Sequence, residues 1–133
     1  MRELKRNDAI DRGELSAPEA HQRAMSLPIE EAVGELISLL GAKTVATIGG
    51  VGETRAVAQW TTGRLPQRSN VLRFALQIAA MIGSANDPEA VRAWFHGSNP
   101  HLADRVPALM LRDEPLHEIQ GEIMTAARAF AAR

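Results

Sequence analysis

The feature of this sequence that most constrains its fold is a nearly unbroken apolar run from Asn70 to Ile82. In a helix, its apolar residues would cover most of the circumference. Helices of that kind are usually buried in the centre of a protein or shared with a partner. A chain of 133 residues can surround one such helix without disulfides or metals. It contains no cysteine, which excludes disulfides, thiolate nucleophiles and cysteine-bound zinc or iron–sulfur sites.

Helical signals also flank this apolar run. Apolar residues recur at helical spacing over residues 27–40, and Gly41 ends that pattern. Since the polar stretch before it is weakly patterned, we expect the first firm helix to begin near Leu27. Asp87-Pro88 is typical of a helix start with Asp87 as the N-cap, and Gly97 ends that helix.

The last third of the chain is divided by prolines. Asn99-Pro100 and Val106-Pro107 predict short turns or single-turn helices, and Glu114-Pro115 precedes a final amphipathic helix. The only strand-like run is residues 44–48. The sequence therefore predicts an all-α fold of six or seven helices.

Three regions are expected along the chain. Residues 1–26 predict a flexible or partly helical N-terminal arm. Residues 27–83 predict a helix-turn-helix DNA-binding region. Residues 84–133 predict a C-terminal helical region.

The middle of the chain is basic. Residues 41–75 carry five basic side chains and one acidic side chain, in a chain whose net charge is −1. Residues 43–48 predict a short helix with small Ala46 at the close crossing, and residues 49–52 a glycine turn. A second helix would run from Glu53 or Thr54 to Thr62, bury Val57 and Trp60, and end at Gly63. This order is typical of a helix-turn-helix.

The exposed side of this motif would supply the DNA contacts. We expect the second helix to present polar side chains to the bases, namely Thr54, Arg55 and Gln59. The residues after it would lie near phosphates, namely Arg64, Gln67, Arg68 and, further along, Arg73. Glu53 opposes this interpretation unless it pairs with Arg55 or Lys43, because phosphates repel a carboxylate.

A phosphate-binding loop is the alternative interpretation of the same glycines, since residues 45–54 also have the order strand, glycine loop, helix. No lysine follows the glycines, unlike in G-x-x-x-x-G-K-[ST], and Glu53 would repel a phosphate. One such unit also cannot form a parallel sheet. The helix-turn-helix interpretation is therefore preferred.

Three segments carry a family resemblance, which covers about residues 30–130. Residues 54–68 read TRAVAQWTTGRLPQR, residues 91–102 read VRAWFHGSNPHL, and residues 103–111 read ADRVPALML. They resemble S-x-R-[ST]-V-x-R-W-x-x-G-x-x-x-P, W-hydrophobic-x-x-x-N-x-x-L and G-x-x-P-x-x-L-L of the Xre/MbcA/ParS-type antitoxins, the partners of RES-domain toxins. The chain departs from the family at Gln59, commonly arginine, at Ala103-Asp104, usually glycine, and in its glycine-rich turn.

The resemblance implies a helical, self-associating antitoxin that is not an enzyme and needs no cofactor. It would bind a NAD-consuming RES-domain toxin through its C-terminal region and cover the entrance to the toxin's active site. It would also bind operator DNA, as a homodimer or as a larger hetero-oligomer with the toxin. The alternative is a stand-alone Xre-type transcriptional regulator without a toxin partner.

Large side chains beside the turns of the C-terminal region are the candidate toxin contacts. Such anchors suit a protein interface, and the candidates are Trp94, Phe95, Asn99, Leu102, Arg105, Leu109, Met110 and Arg112. Four apolar residues crowd residues 106–111, so we expect some of them to meet a partner. For Arg105 and Arg112, pairing with toxin carboxylates and exposure to solvent both remain open.

No catalytic or metal site is predicted. The four histidines lack metal-ligand spacing and are expected on the surface, and no serine has the G-x-S-x-G context. Asp113 and Glu114 would point about 100° apart on a helix, so they cannot share one reacting atom. No apolar stretch is long enough to span a membrane and no secretory signal is visible, so we expect a cytoplasmic protein.

Overall fold

The computed structural model describes residues 16–133, and within them the chain is helical, which confirms the all-α prediction. The elements are α1 (Ala17–Ser26), α2 (Ile29–Leu40), α3 (Ala42–Gly49), α4 (Thr54–Trp60), α5 (Ser69–Gly83), α6 (Pro88–His96), a 3₁₀ turn (Pro100–Leu102), α7 (Pro107–Asp113) and α8 (Leu116–Ala131). The strand-like residues 44–48 lie in α3. Eight α-helices are present in this part of the chain, more than the six or seven expected.

Helix α1 corrects the expectation that the first firm helix begins near Leu27. The hydroxyl of Ser16 caps it by accepting a hydrogen bond from the N–H of Glu19 at 3.3 Å. Its inner side consists of Ala20 and Ala24, which are buried against α5. Two alanines give a weak periodic signal, so the sequence pattern misses this helix. The prediction of an arm for residues 1–15 lies outside the described residues.

Glycine and proline end the helices at the places that the sequence predicts. Gly41 lies between α2 and α3 with φ of +87°, a value that suits glycine. The carboxylate of Asp87 accepts the N–H of Ala90 at 2.9 Å and so caps α6. Helix α6 ends before Gly97 as expected.

Helix α5 is the centre of the molecule, as its apolar run predicts. It packs against α1, α2 and α8, and also contacts α3 and α6. Ten of its residues are buried. One hydrophobic core includes side chains from all eight α-helices and Leu102 of the 3₁₀ turn. Each large aliphatic side chain buried there contributes about 1.5–3 kcal/mol relative to exposure.

Over residues 16–133, no helix combines the length and the apolar character that spanning a lipid bilayer would require.

Candidate functional site

The turn between α3 and α4 is closed by backbone hydrogen bonds. Gly50 adopts a left-handed conformation (φ 76°, ψ 25°), and its N–H donates to the carbonyl of Thr47 at 3.1 Å. The N–H of Val51 donates to the carbonyl of Ala46 at 3.0 Å. This pattern satisfies carbonyls at the end of α3 and redirects the chain sharply. The turn thus joins two short helices close to the positions predicted for them.

Helix α4 packs closely on α3 through a glycine. Val57 and Trp60 are buried, which confirms that part of the prediction. A Cβ atom placed on Gly49 would lie 2.6 and 2.8 Å from two ring carbons of Trp60, closer than real Cβ atoms come. Ala46, the expected crossing residue, is also buried, but the tightest approach is at Gly49.

A groove of about 780 Å³ lies beside this pair of helices, lined by residues of α3, the turn, the start of α4 and His96 of α6. Its cations are Lys43 and Arg55, both exposed. Neither forms an ion pair with another residue of 16–133, so Glu53 pairs with neither. Thr54 is exposed beside Arg55. Two cations and a hydroxyl therefore face outward here, with Glu53 as the acidic side chain among the lining residues.

Arg68, expected near phosphates, is instead a structural residue. Its guanidinium donates to three backbone carbonyls, those of Ile48 at 3.1 Å, Leu111 at 2.7 Å and Arg112 at 2.9 Å. These carbonyls belong to the C-terminal ends of α3 and α7, where the helix dipole favours a positive charge. The expectation is corrected because backbone carbonyls occupy the donors that phosphate would need.

Arg73 has a similar role at another helix end. Its guanidinium donates to the carbonyls of Ala24 at 2.9 Å and Leu27 at 2.7 Å. It therefore fixes the end of α1 on α5, and the expectation that it lies near phosphates is corrected.

The remaining predicted DNA contacts differ in whether their side chains are exposed or bound to another residue of the chain. The guanidinium of Arg64 donates to the side-chain oxygen of Gln59, which is half-buried. Gln67 is exposed. Arg64 is exposed as well, so its charge stays accessible while it holds Gln59. Gln59 is thus partly committed to a partner within the chain.

Four of the predicted toxin contacts lie inside the core. Phe95, Leu102 and Met110 are buried, and Trp94 is 6% exposed. The rings of Trp94 and Phe95 meet edge to face, with centroids 5.2 Å apart. The expectation that they lie at the surface is corrected. A chain with only 4% aromatic residues uses these large side chains to fill its own core.

Asn99 builds the turn between α6 and α7. Its Oδ1 accepts the N–H of His101 at 2.9 Å, and its backbone forms an isolated antiparallel bridge with Arg105. Ala103 and Asp104 have positive φ values of 56° and 63°. These are the positions where the resembled family usually has glycine. A left-handed conformation costs a non-glycine residue about 1–2 kcal/mol.

The two arginines of this region are paired within the chain. Arg105 contacts Glu114 at 3.1 Å and Glu122 at 2.6 Å. Arg112 contacts Asp113 at 2.6 Å, and the hydrogen bond from Arg112 holds the pKa of the Asp113 carboxyl below its usual range. The sequence leaves open whether these two arginines pair with a partner or face solvent. In the structure, they pair with acidic residues of this chain.

Leu109, at 41% exposed, is the apolar predicted contact that stays accessible, and Arg112 on the same helix is exposed as well. It fits the expectation that part of the crowded apolar segment faces outward. All four histidines are exposed, as expected. In the described part of the chain, no three histidine, aspartate or glutamate side chains converge on a point that could hold a metal ion.

Comparisons with protein-family models, with curated proteins and with solved structures find no match to this chain. The family resemblance therefore rests on the sequence segments quoted above.

Proposed function

We propose that this chain is an antitoxin that binds a RES-domain toxin, covers the entrance to the toxin's NAD-binding active site, and represses its own operon through a helix-turn-helix. The observation that carries the DNA-binding part of the proposal is the α3–α4 pair, while toxin binding rests on the family resemblance. Its inner side is anchored by Trp60 against Gly49, and its outer side exposes Lys43, Thr54 and Arg55. This division of one short helix into a packed side and a polar side is what DNA reading requires.

DNA binding in this proposal depends on fewer residues than the basic segment suggests. Arg55 and Thr54 would contact base edges, while Lys43 and Arg64 would contact phosphates. Arg68 supports the site from within, because it donates to the carbonyl of Ile48 at the end of α3, whereas Arg73 fixes the end of α1. The proposal therefore assigns readout to α4 and positioning to Arg68.

Toxin binding in this proposal uses the surface of the C-terminal helices. Leu109 and Arg112 on α7 are accessible and belong to the predicted contact set. Trp94, Phe95, Leu102 and Met110 hold α6 and α7 in place from inside. Their contribution to toxin binding would then be indirect.

A stand-alone transcriptional regulator is the second candidate, and the burial of those four side chains favours it. A regulator needs only a DNA-reading helix and an association surface. Helices α3 and α4 support both candidates equally. The two candidates differ in whether a neighbouring reading frame encodes a toxin.

Co-expression distinguishes them. The tagged full-length chain is expressed with its neighbouring reading frames and purified by affinity, and the proteins that accompany it are identified by mass spectrometry. We expect one stoichiometric RES-domain partner that arrests growth when it is expressed alone. Purification of the chain by itself, with harmless neighbours, would leave the regulator as the surviving candidate.

DNA binding has a separate test. We expect the double substitution Arg55→Ala and Gln59→Ala to weaken operator binding at least about tenfold in a gel shift at fixed salt, because one bidentate base contact accounts for about 1–3 kcal/mol. The matched control is Arg128→Ala, which removes an exposed arginine of α8 outside the motif. Equal affinity of the double variant and the control would disprove this part of the proposal.

A further inference from the structure

A second groove, of about 590 Å³, lies between α6, the 3₁₀ turn and the last turns of α8. We call it the α6–α8 groove. Its lining includes four alanines, Ala90 and Ala93 of α6 and Ala126 and Ala129 of α8. Small side chains on both walls leave room for an inserted segment. Trp94, Asn99, His101, Phe130 and Arg133 complete much of the lining.

Trp94, one of the residues that line this groove, carries an unpaired hydrogen-bond donor. Its Nε1 is buried, and among residues 16–133 it has no acceptor. A buried donor without a partner costs about 1–3 kcal/mol. The rest of the core contains no other side-chain nitrogen or oxygen in this state, within the described residues. The unpaired indole N–H is therefore a local exception that an incoming acceptor would remove.

Further donors line the same groove. Since Oδ1 of Asn99 accepts the N–H of His101, the amide nitrogen of Asn99 remains a donor. The guanidinium of Arg133 lies over the ring of Phe130, 4.7 Å from its centroid, and forms no ion pair within the described chain. No acidic side chain lines the groove. Its polar chemistry therefore favours an occupant that accepts hydrogen bonds and carries negative charge.

We infer that the α6–α8 groove binds a segment of a partner protein that carries a carboxylate beside small or medium apolar side chains. The carboxylate pairs with Arg133 and accepts from the indole N–H of Trp94, and the apolar side chains fill the space between the alanines. The indole shifts slightly toward the groove as it gains its acceptor. A guanidinium–carboxylate pair is a strong and directional contact.

The inference deepens the proposed function and rests on it, because the segment would belong to the toxin. It also gives Trp94 a role that its burial would otherwise exclude. The ring stays in the core, and only its N–H takes part in binding. The accessible contacts move from the face of the aromatic pair to His101 and Arg133, which are exposed beside the buried Asn99.

The experiment uses the full chain and the toxin encoded beside it. Affinity is measured by calorimetry for the wild type, Arg133→Glu and Arg128→Glu. We expect Arg133→Glu to weaken binding about tenfold or more, since a charge-assisted contact of about 1.5–3 kcal/mol becomes repulsive. Arg128→Glu is the matched control, because it reverses another exposed charge of α8 that does not line the groove.

A second readout follows the wild-type chain on binding, and a variant serves only to assign the signals. The chain has two tryptophans, so its nitrogen–proton NMR spectrum has two indole signals, which Trp94→Phe assigns. On addition of toxin, we expect the Trp94 indole proton to shift downfield as its hydrogen bond forms, while the Trp60 signal stays in place.

The possible outcomes separate the two claims. If the toxin binds the wild type, Arg133→Glu matches Arg128→Glu and the Trp94 signal does not move, the groove inference is overturned and the antitoxin proposal stands. If the wild type does not bind the toxin at all, the proposed function fails and the inference fails with it.

Discussion

The two tryptophans of this chain occupy the core in different ways. Trp60 is 3% exposed and brings two ring carbons against Gly49, so that it anchors a short helix whose other side is polar and exposed. Trp94 is similarly buried, but it meets Phe95 edge to face, and its N–H has no acceptor within residues 16–133. Trp60 holds the exposed surface of α4 in place without being part of that surface. Trp94 lines a groove, and the inference above assigns its donor to an occupant of that groove.

Under the groove inference, burial alone does not separate structural from functional aromatic residues. Both rings are buried, so their exposed fractions alone would assign both to the core. What distinguishes them is the state of their polar atom and the chemistry of the neighbouring surface. For Trp60 the outward surface is on its own helix, whereas for Trp94 it is shared by α6 and α8.

The largest expected effect tests whether the two tryptophan regions depend on each other. Arg68 links them, because it donates to Ile48 of α3 in the first region and to Leu111 and Arg112 of α7, a helix that packs on α6 and α8 of the second. We expect Arg68→Met to lower the free energy of unfolding by about 3 kcal/mol, since three carbonyls lose a charged donor. Chemical denaturation measures this.

The control for that change is Arg64→Met. The side chain of Arg64 is exposed and hydrogen-bonds only to the side chain of Gln59 among the described residues, so we expect a change within about 0.5 kcal/mol. Equal destabilisation by the two substitutions would show that the three carbonyl contacts contribute nothing particular.

The next effect concerns the Trp60 region alone. We expect Gly49→Ala to destabilise the fold by about 1–3 kcal/mol, because the added methyl would overlap the buried ring of Trp60. Gly34→Ala is the matched control, since an added Cβ there meets nothing within 4 Å. That substitution lies inside α2 and should stabilise by about 0.5–1 kcal/mol. Thermal unfolding of both variants shows whether they move in opposite directions.

The smallest effect lies at the end of α7, in the exposed Arg112–Asp113 pair. The pKa of Asp113 is lowered from its ordinary value of 3.8, first of all by the hydrogen bond from Arg112. A lowered folded-state pKa stabilises the fold above the unfolded-state value, and this stabilisation is lost as the pH falls through the lowered value.

We therefore expect Asp113→Asn to be slightly less stable than the wild type at neutral pH, and the difference to vanish in strong acid. Stability curves of the two proteins between neutral and low pH measure it, and added salt should reduce the difference because the pair is exposed. A difference that grows as the pH falls would contradict the sign of the pKa shift.

Much of the helical framework could be predicted because local chemistry fixes it. Gly41, Asp87 and Gly97 end or begin helices through backbone conformation and capping, which depend on neighbouring residues only. The apolar run of α5 likewise indicates its central position from composition alone. The sequence predicts residues 1–26 to be flexible or partly helical, and α1 is not predicted as a firm helix because its buried side is two alanines, which add little to a periodic pattern.

The candidate site could be predicted less well, because its contacts join distant parts of the chain. The hydrogen bonds of Arg68 and Arg73 reach carbonyls between 20 and 49 positions away, and a basic residue in the sequence carries no sign of such an acceptor. Trp94 looks the same in the sequence whether it faces the core or a partner. That its N–H lacks an acceptor can be seen only from the positions of its neighbours in the folded structure.

The shared core determines how the molecule unfolds. Side chains from α1 to α8 belong to one hydrophobic cluster, and α5 is covered by helices from both halves of the chain. Neither half should retain its structure when it is produced alone, because α5 or its coverings would be left facing water. The chain should instead unfold in a single cooperative step. A protease that cuts the segment between α5 and α6 would then release two unfolded fragments, not two working modules.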